Sequence, residues 1–199
     1  MLLVLTGVTV ISVALLAYVN ELTKGPIAEA NAKTLSDAIS IVVPAFDNNP
    51  TAEATKETVN GVEYTIYPAK KDGQWVGAAV ESSAMGFGGE LKVLVGFDAD
   101  GKIYDYSLLS HAETPGLGSK AADWFKEGNK GSIKGMNPGE APLTVSKDGG
   151  QIDAITASTI TSRAFLNAVN AAYKGDGDTN GTTGATQKVV EPADSVSVN

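Results

Sequence analysis

The sequence predicts an α+β protein: a single N-terminal transmembrane helix, then one mixed α/β domain, then a flexible C-terminal tail. Three observations lead there. Residues 1–19 (MLLVLTGVTVISVALLAYV) carry no charge. Strand-like segments cluster in the middle of the chain, and helical patterns lie at its ends instead of alternating with them. The 199 residues suffice for one domain with its own core and a few short appendages.

The uncharged opening run would rise about 28 Å as a helix, close to the hydrocarbon thickness of a bilayer. A cleaved signal peptide would have a shorter apolar stretch, a basic segment before it and a small-residue site just after it. The nearest such site, Ala28-Glu29-Ala30, lies far past the apolar run. Residues 1–20 therefore read as an uncleaved anchor, and the missing basic flank suggests a few native residues before Met1. Residues 21–43 repeat apolar side chains at helical spacing (Ile27, Ala30, Leu35, Ala38, Ile39, Val42). That predicts a helical stalk, with a local cap at Thr34-Leu35-Ser36-Asp37 and a break near Gly25-Pro26.

Residues 44–175 read as the folded domain. Residues 62–67 (VEYTIY) alternate, 75–80 (WVGAAV) are short and apolar, and 91–97 (LKVLVGF) are β-branched and suited to burial. Asp98-Ala99-Asp100-Gly101 is a hairpin-type turn into 102–109 (KIYDYSLL). A short helix is expected over 121–127 and a longer one over 161–173, with Phe165, Val169, Ala172 and Tyr173 on one face. Residues 176–199 are rich in Gly, Thr and Asp and have no aromatic residue. They bury too little surface to offset ordering entropy, which predicts a flexible tail.

Composition narrows the chemistry. A formal net charge of -8 argues against nucleic acid, which selects basic surfaces. With no cysteine and one histidine, His111, the chain has no disulfides, thiolate nucleophiles, cysteine-ligated clusters or histidine-rich metal site. Redox chemistry would have to belong to a bound organic cofactor.

Three short motifs stand out. Gly86-Phe87-Gly88-Gly89-Glu90-Leu91 places a glycine cluster before a strand, suited either to a tight turn or to close approach by a flat ligand. Glu113-Thr114-Pro115-Gly116-Leu117-Gly118 joins a strand to a helix, as a plain turn or as a lining for a planar ring. Asp153-Ala154-Ile155-Thr156-Ala157-Ser158-Thr159 runs into the last helix. Its hydroxyls serve either as helix caps or beside a phosphate held by unpaired N–H groups. His111 fits a proton shuttle or a hydrogen-bonded loop residue. Trp75 and Trp124 are expected in the core, with Trp124 close enough to the Pro-Gly loop to matter.

Together, in this order and behind one membrane anchor, the motifs resemble the FMN-binding domain shared by two kinds of protein. These are the G subunit of Rnf-type complexes and the C subunit of sodium-pumping NADH:quinone oxidoreductases. The likeness covers roughly residues 1–173, and residues 113–118 are its most specific piece. In that family an Asp-x-x-(Ser/Thr)-Gly-Ala-(Thr/Ser) signature is modified by a flavin transferase that uses FAD and Mg²⁺. The resemblance implies covalent FMN on Thr159 through a phosphoester, with Asp153 as the signature acid and Thr156 as its middle hydroxyl. Ala157 and Ser158 stand where the family usually has Gly-Ala. Thr183-Gly184-Ala185-Thr186 copies the signature's core, but Asn180 replaces the acid and no amphipathic helix follows, so Thr159 is favoured.

The resemblance further implies an electron-relay subunit of a membrane-bound, ion-translocating oxidoreductase of the ferredoxin/NAD couple. Polytopic membrane and redox subunits would be its partners, and the domain would face the periplasm. Two other relay readings are a stand-alone anchored flavoprotein and a quinone-reductase-type C subunit. A non-redox anchored scaffold, with only capping at residues 156–162, is the alternative without a flavin.

Overall fold

The computed structural model describes residues 2–59 and 62–173. The tail at 176–199 and the Thr183-to-Thr186 stretch lie outside the described residues. Packing divides the chain into two units, Met1–Asp37 and Ala38–Asn199.

The first element, α1 (Leu2–Val42), is one unbroken helix of 41 residues with Pro26 inside it. The break expected near Gly25-Pro26 does not occur: proline removes one donor, and long helix on either side carries the chain through. Nor does a new helix begin at residue 34. The Thr34 hydroxyl donates back to the Ala30 carbonyl at 2.9 Å, as a residue inside a helix does. By length and composition the helix is long and apolar enough to cross a membrane, and Leu5, Ile11 and Leu16 are exposed along it.

The second unit is built on an antiparallel meander of five strands in sequence order. The strands are β1 (Thr55–Val59), β2 (Val62–Lys71), β3 (Gln74–Met85), β4 (Glu90–Asp98) and β5 (Ile103–Ser110). Asp72 and Gly73, both at positive φ (52° and 75°), make the tight turn between β2 and β3. The expected turn at residues 98–101 closes β4 onto β5. The Gly101 N–H donates to the Asp98 carbonyl, and the Asp98 carboxylate accepts from the N–H groups of Asp100 and Lys102.

Both faces of the sheet are covered at the middle of β4, which explains its apolar run from Val93 to Phe97. Leu91, Val93, Val95 and Phe97 point into the main core beneath α3 (Thr159–Tyr173). There Phe165 stacks on Phe125 at 4.3 Å and meets Tyr106 edge-on at 4.7 Å. The Ser82 hydroxyl of β3 donates to the Ala168 carbonyl, fixing the helix over the sheet. On the opposite face, Ile39, Val42 and Val43 are buried. The backbone of Val42 lies so close to β4 that a Cβ at Gly96 would collide with its carbonyl.

Two expected elements change length. The helix at 121–127 is only α2 (Ala121–Trp124), because Lys126 N–H turns back to the Asp123 carbonyl and a loop follows. The last helix starts at Thr159, two residues earlier than its apolar face suggests.

Candidate functional site

The three motifs, 27 to 73 residues apart in sequence, meet at one cleft of about 430 Å³. Phe87, Glu113, Thr114, Leu117 and Gly118 line one side, and residues 157–161 line the other. The volume lies within the range of roughly 300–1,000 Å³ usual for ligand pockets.

Glu113 ties the motifs together. Only 6% exposed, its Oε1 accepts from the N–H groups of Phe87 (2.8 Å) and Gly88 (3.2 Å). Its Oε2 accepts from the Thr161 hydroxyl at 2.7 Å. A Cβ at either Gly86 or Gly118 would run into this carboxylate. The first glycine cluster is thus a tight turn, with Gly86 N–H on the Gly89 carbonyl. It leaves Phe87 exposed at the cleft.

The Pro-Gly segment is a type II turn: Leu117 N–H donates to the Thr114 carbonyl and Gly116 sits at φ 76°. Pro115 and Gly116 shape this turn without lining the cleft; Thr114, Leu117 and Gly118 reach it. His111 lies on the surface, and its Nδ1 accepts from the Glu113 N–H.

At the other wall, Ala157 adopts a left-handed conformation (φ 62°). Glycine takes that conformation freely, and an L side chain is strained in it by about 1 kcal/mol. This is the position where the signature usually carries glycine. The turn delivers the chain into α3 with Ser158 buried. The Ser162 hydroxyl holds the approach, accepting from Ile155 N–H and donating to the Ser158 carbonyl.

Among the described residues, no hydrogen bond reaches the backbone N–H groups of Thr159, Ile160 or Thr161. These donors stand at the positive end of the helix. Among the described residues no hydroxyl of 156–162 caps these N–H groups: the Ser162 hydroxyl braces the turn before the helix, and Thr159 lines the cleft. Thr156 is exposed and does not line the cleft.

Asp153 also stands outside the cleft. Its Oδ1 accepts from the Ser146 hydroxyl at 3.3 Å, and its carbonyl accepts from Trp124 Nε1 at 2.7 Å. Trp124 is therefore a brace beneath the signature, packed against the core. Trp75 also packs there, with its Nε1 buried and unpartnered.

Beside Thr159, though not itself lining the cleft, stands a residue that no motif marks in the sequence: Lys147. It lies on a single 3-10 turn (Ser146–Asp148) and its Nζ is 3.2 Å from Thr159 Oγ. The turn is clamped to α3, where Arg163 donates twice to the Asp148 carboxylate at 2.7 Å. That guanidinium holds the Asp148 carboxyl below the usual carboxylate range. The only sequence signal is three polar residues (Ser146, Lys147, Asp148) before Gly149-Gly150, which is common in loops.

These features fit a nucleotide-like cofactor at both ends. A flat apolar ring finds Phe87, Leu117 and Ile160, which are 70%, 42% and 52% exposed at the rim. A phosphate finds open N–H donors, a hydroxyl and an ammonium on the helix side.

Comparison with known proteins agrees in its turn. The sequence profile of the FMN-binding domain matches residues 86–174. The chain is 36% identical over 169 residues to the G subunit of the ion-translocating oxidoreductase complex of Cereibacter sphaeroides, covering 81% of this chain and 76% of that protein. It is 36% identical over 171 residues to the protein of the same name from Escherichia coli, covering 81% and 82%. The crystal structure of the C subunit of Na(+)-translocating NADH-quinone reductase from Parabacteroides distasonis is similar at a TM-score of 0.39. There the identity is 25%, covering 57% of this chain and 60% of that one.

Proposed function

This chain belongs to the family of G subunits of ion-translocating oxidoreductase complexes, and from that premise we propose that it carries covalent FMN as their membrane-anchored electron relay. The observation that carries this reading is the meeting of the three motifs at one cleft, with Thr159 at its edge. Bound there, FMN would supply a ring that takes up and returns electrons singly.

The chain's own residues do the holding. Thr159 offers its hydroxyl as the phosphoester acceptor, and the first turn of α3 directs N–H donors at the same place. Leu117, Phe87 and Ile160 give the ring an apolar seat, and Thr114 and Gly118 keep the backbone close beside it. Glu113 makes no direct demand on a ligand, because its carboxylate is already used to join the walls. Asp153, Thr156 and Ser158 act through the geometry of the approach to Thr159, and Ala157 through its reversed turn. Pro115 and Gly116 act by shaping the loop.

The uncharged start of α1 supports anchoring of residues 1–20 in the cytoplasmic membrane. Residues 21–43 form the stalk and 44–175 the domain, which faces the periplasm in this reading. Other redox and polytopic subunits of the complex are the partners, and a flavin transferase acts during maturation. Within the complex the chain is one component of a redox-driven translocase; by itself it is an electron carrier.

Co-expression with a flavin transferase tests the reading. The expected result is a fluorescent band on a denaturing gel and a flavin-bearing peptide that contains Thr159. A chain that remains colourless, or an adduct on Thr186, would overturn it. Gentle solubilisation should bring polytopic subunits with the chain; recovery alone would instead favour a stand-alone flavoprotein.

A further inference from the structure

The donor groups beside Thr159 at the helix wall come from two separate segments. One is the first turn of α3, with Thr159. The other is the 3-10 turn at Ser146–Asp148, which no sequence motif marks. Lys147 projects from that turn to place Nζ 3.2 Å from Thr159 Oγ. Among the described residues Lys147 makes no direct salt bridge: its charge acts on Asp148 beside it, but Arg163 holds that carboxylate directly.

The backbone beneath Lys147 is held on both sides. Val145 and Ile152 are buried and bridge to each other. Ser146 bonds to Asp153, and Asp148 binds Arg163 one helical turn beyond Thr159. An exposed lysine on a free loop would spend its time in water. This one starts from a clamped turn, next to a hydroxyl that offers it only an oxygen lone pair.

We infer that Lys147 is the counter-ion of the phosphate site, steadying charge at Thr159 during attachment and pairing with the phosphodiester afterwards. This rests on Thr159 being the attachment point. Attachment forms a bond from Thr159 Oγ to the flavin-side phosphorus of FAD and breaks the pyrophosphate bond. AMP leaves, and the hydroxyl proton passes to a base of the transferase. An ammonium donating to Oγ stabilises the negative charge that develops there as the proton departs. Once the bond is made, the same ammonium faces a monoanionic phosphodiester. Asp153 then gains a physical role: by holding Ser146 it helps set the turn from which Lys147 reaches. Lys147 is thus a positioning and charge-balancing residue.

The test uses the full chain in detergent with a flavin transferase, FAD and Mg²⁺, following attachment by in-gel fluorescence and intact mass. Wild type is compared with Lys147→Ala, Lys147→Glu and Lys147→Arg. At low salt, attachment is expected to slow by about five-fold in Lys147→Ala and about twenty-fold in Lys147→Glu. Lys147→Arg should restore most of the rate. The wild-type advantage should shrink as salt is raised, as screening requires. Thermal unfolding should be the same in all of them, because the Arg163–Asp148 clamp is intact. Equal low-salt rates for wild type and Lys147→Glu would overturn this inference while leaving Thr159 in place. Absence of an adduct even in wild type would overturn both the inference and the reading beneath it.

Discussion

The two walls of the cleft are built on opposite principles. In the loop wall the buried polar groups are partnered. Glu113 accepts from two backbone N–H groups and a hydroxyl. Behind it Tyr106 donates to the Ala121 carbonyl and accepts from Phe125 N–H. In the helix wall, the N–H groups of the first turn of α3 stay open, the Thr159 hydroxyl faces Lys147, and Ala157 is held in a strained turn. A buried polar group left without a partner costs about 1–3 kcal/mol, so the loop wall has no freedom to offer its groups to a ligand. Thr159 and Ile160 at the head of the helix wall are partly exposed, so their open groups lose little while they wait. One wall therefore maintains shape and the other is left free to react.

Substitutions in the two walls should therefore fail in different ways. The largest effect is expected at Thr159. Thr159→Ala should abolish the flavin adduct entirely in a denaturing-gel fluorescence assay. Its unfolding midpoint should stay near wild type, since one exposed hydroxyl contributes little. A surviving adduct in that variant would break the comparison at its centre.

Glu113→Ala should do the reverse. Removing a buried carboxylate that satisfies three donors is expected to cost about 2–4 kcal/mol in urea unfolding. Attachment would suffer only as the walls part. A variant of unchanged stability that fails to take flavin would place Glu113 in direct contact with the cofactor instead.

A smaller effect is expected behind the loop wall. Tyr106→Phe strands the Ala121 carbonyl and the Phe125 N–H, at a cost of about 1–2 kcal/mol. It should also change the alkaline limb of stability. Burial pushes the Tyr106 phenol above its ordinary value of 10.0. The folded state therefore keeps a proton that the unfolded chain releases. That contribution is whole below pH 10 and is lost as pH rises above it. Urea midpoints measured from pH 8 upward should fall less steeply in the variant than in wild type.

The smallest effect is expected at the turn of the helix wall. Ala157→Gly should stabilise the domain by at most about 0.5 kcal/mol, because glycine relieves the positive φ but loses more entropy on folding. Calorimetry checks it. Destabilisation would mean that the Ala157 methyl makes a contact worth more than the strain it carries.

Much of the body is legible in local pattern. The alternation in residues 62–67, the apolar run at 91–97 and the turn at 98–101 each become what that pattern implies. Residues 55–59 carry no such signal. TKETV is short and polar, and it becomes β1 only because β2 offers it an edge. The continuity of α1 through Pro26 is likewise invisible, because a proline's local cost says nothing about how much helix stands on either side. At the site, the motifs and their order can be read, but not who touches whom. Asp153 and Thr156, expected beside the cofactor, do not line the cleft, and their place in the signature says nothing of that.

The division has a physical cause. Periodicity and turn chemistry depend on neighbours a few positions away, so the sequence alone determined the apolar N-terminal helix, the central strands and the body of the last helix. The bond from Thr161 to Glu113 spans 48 residues, and that from Phe87 to Glu113 spans 26. Only the packing of α3 across the sheet brings such groups within reach. The same packing brings Lys147 to Thr159 and makes one cleft from motifs that have no local reason to meet.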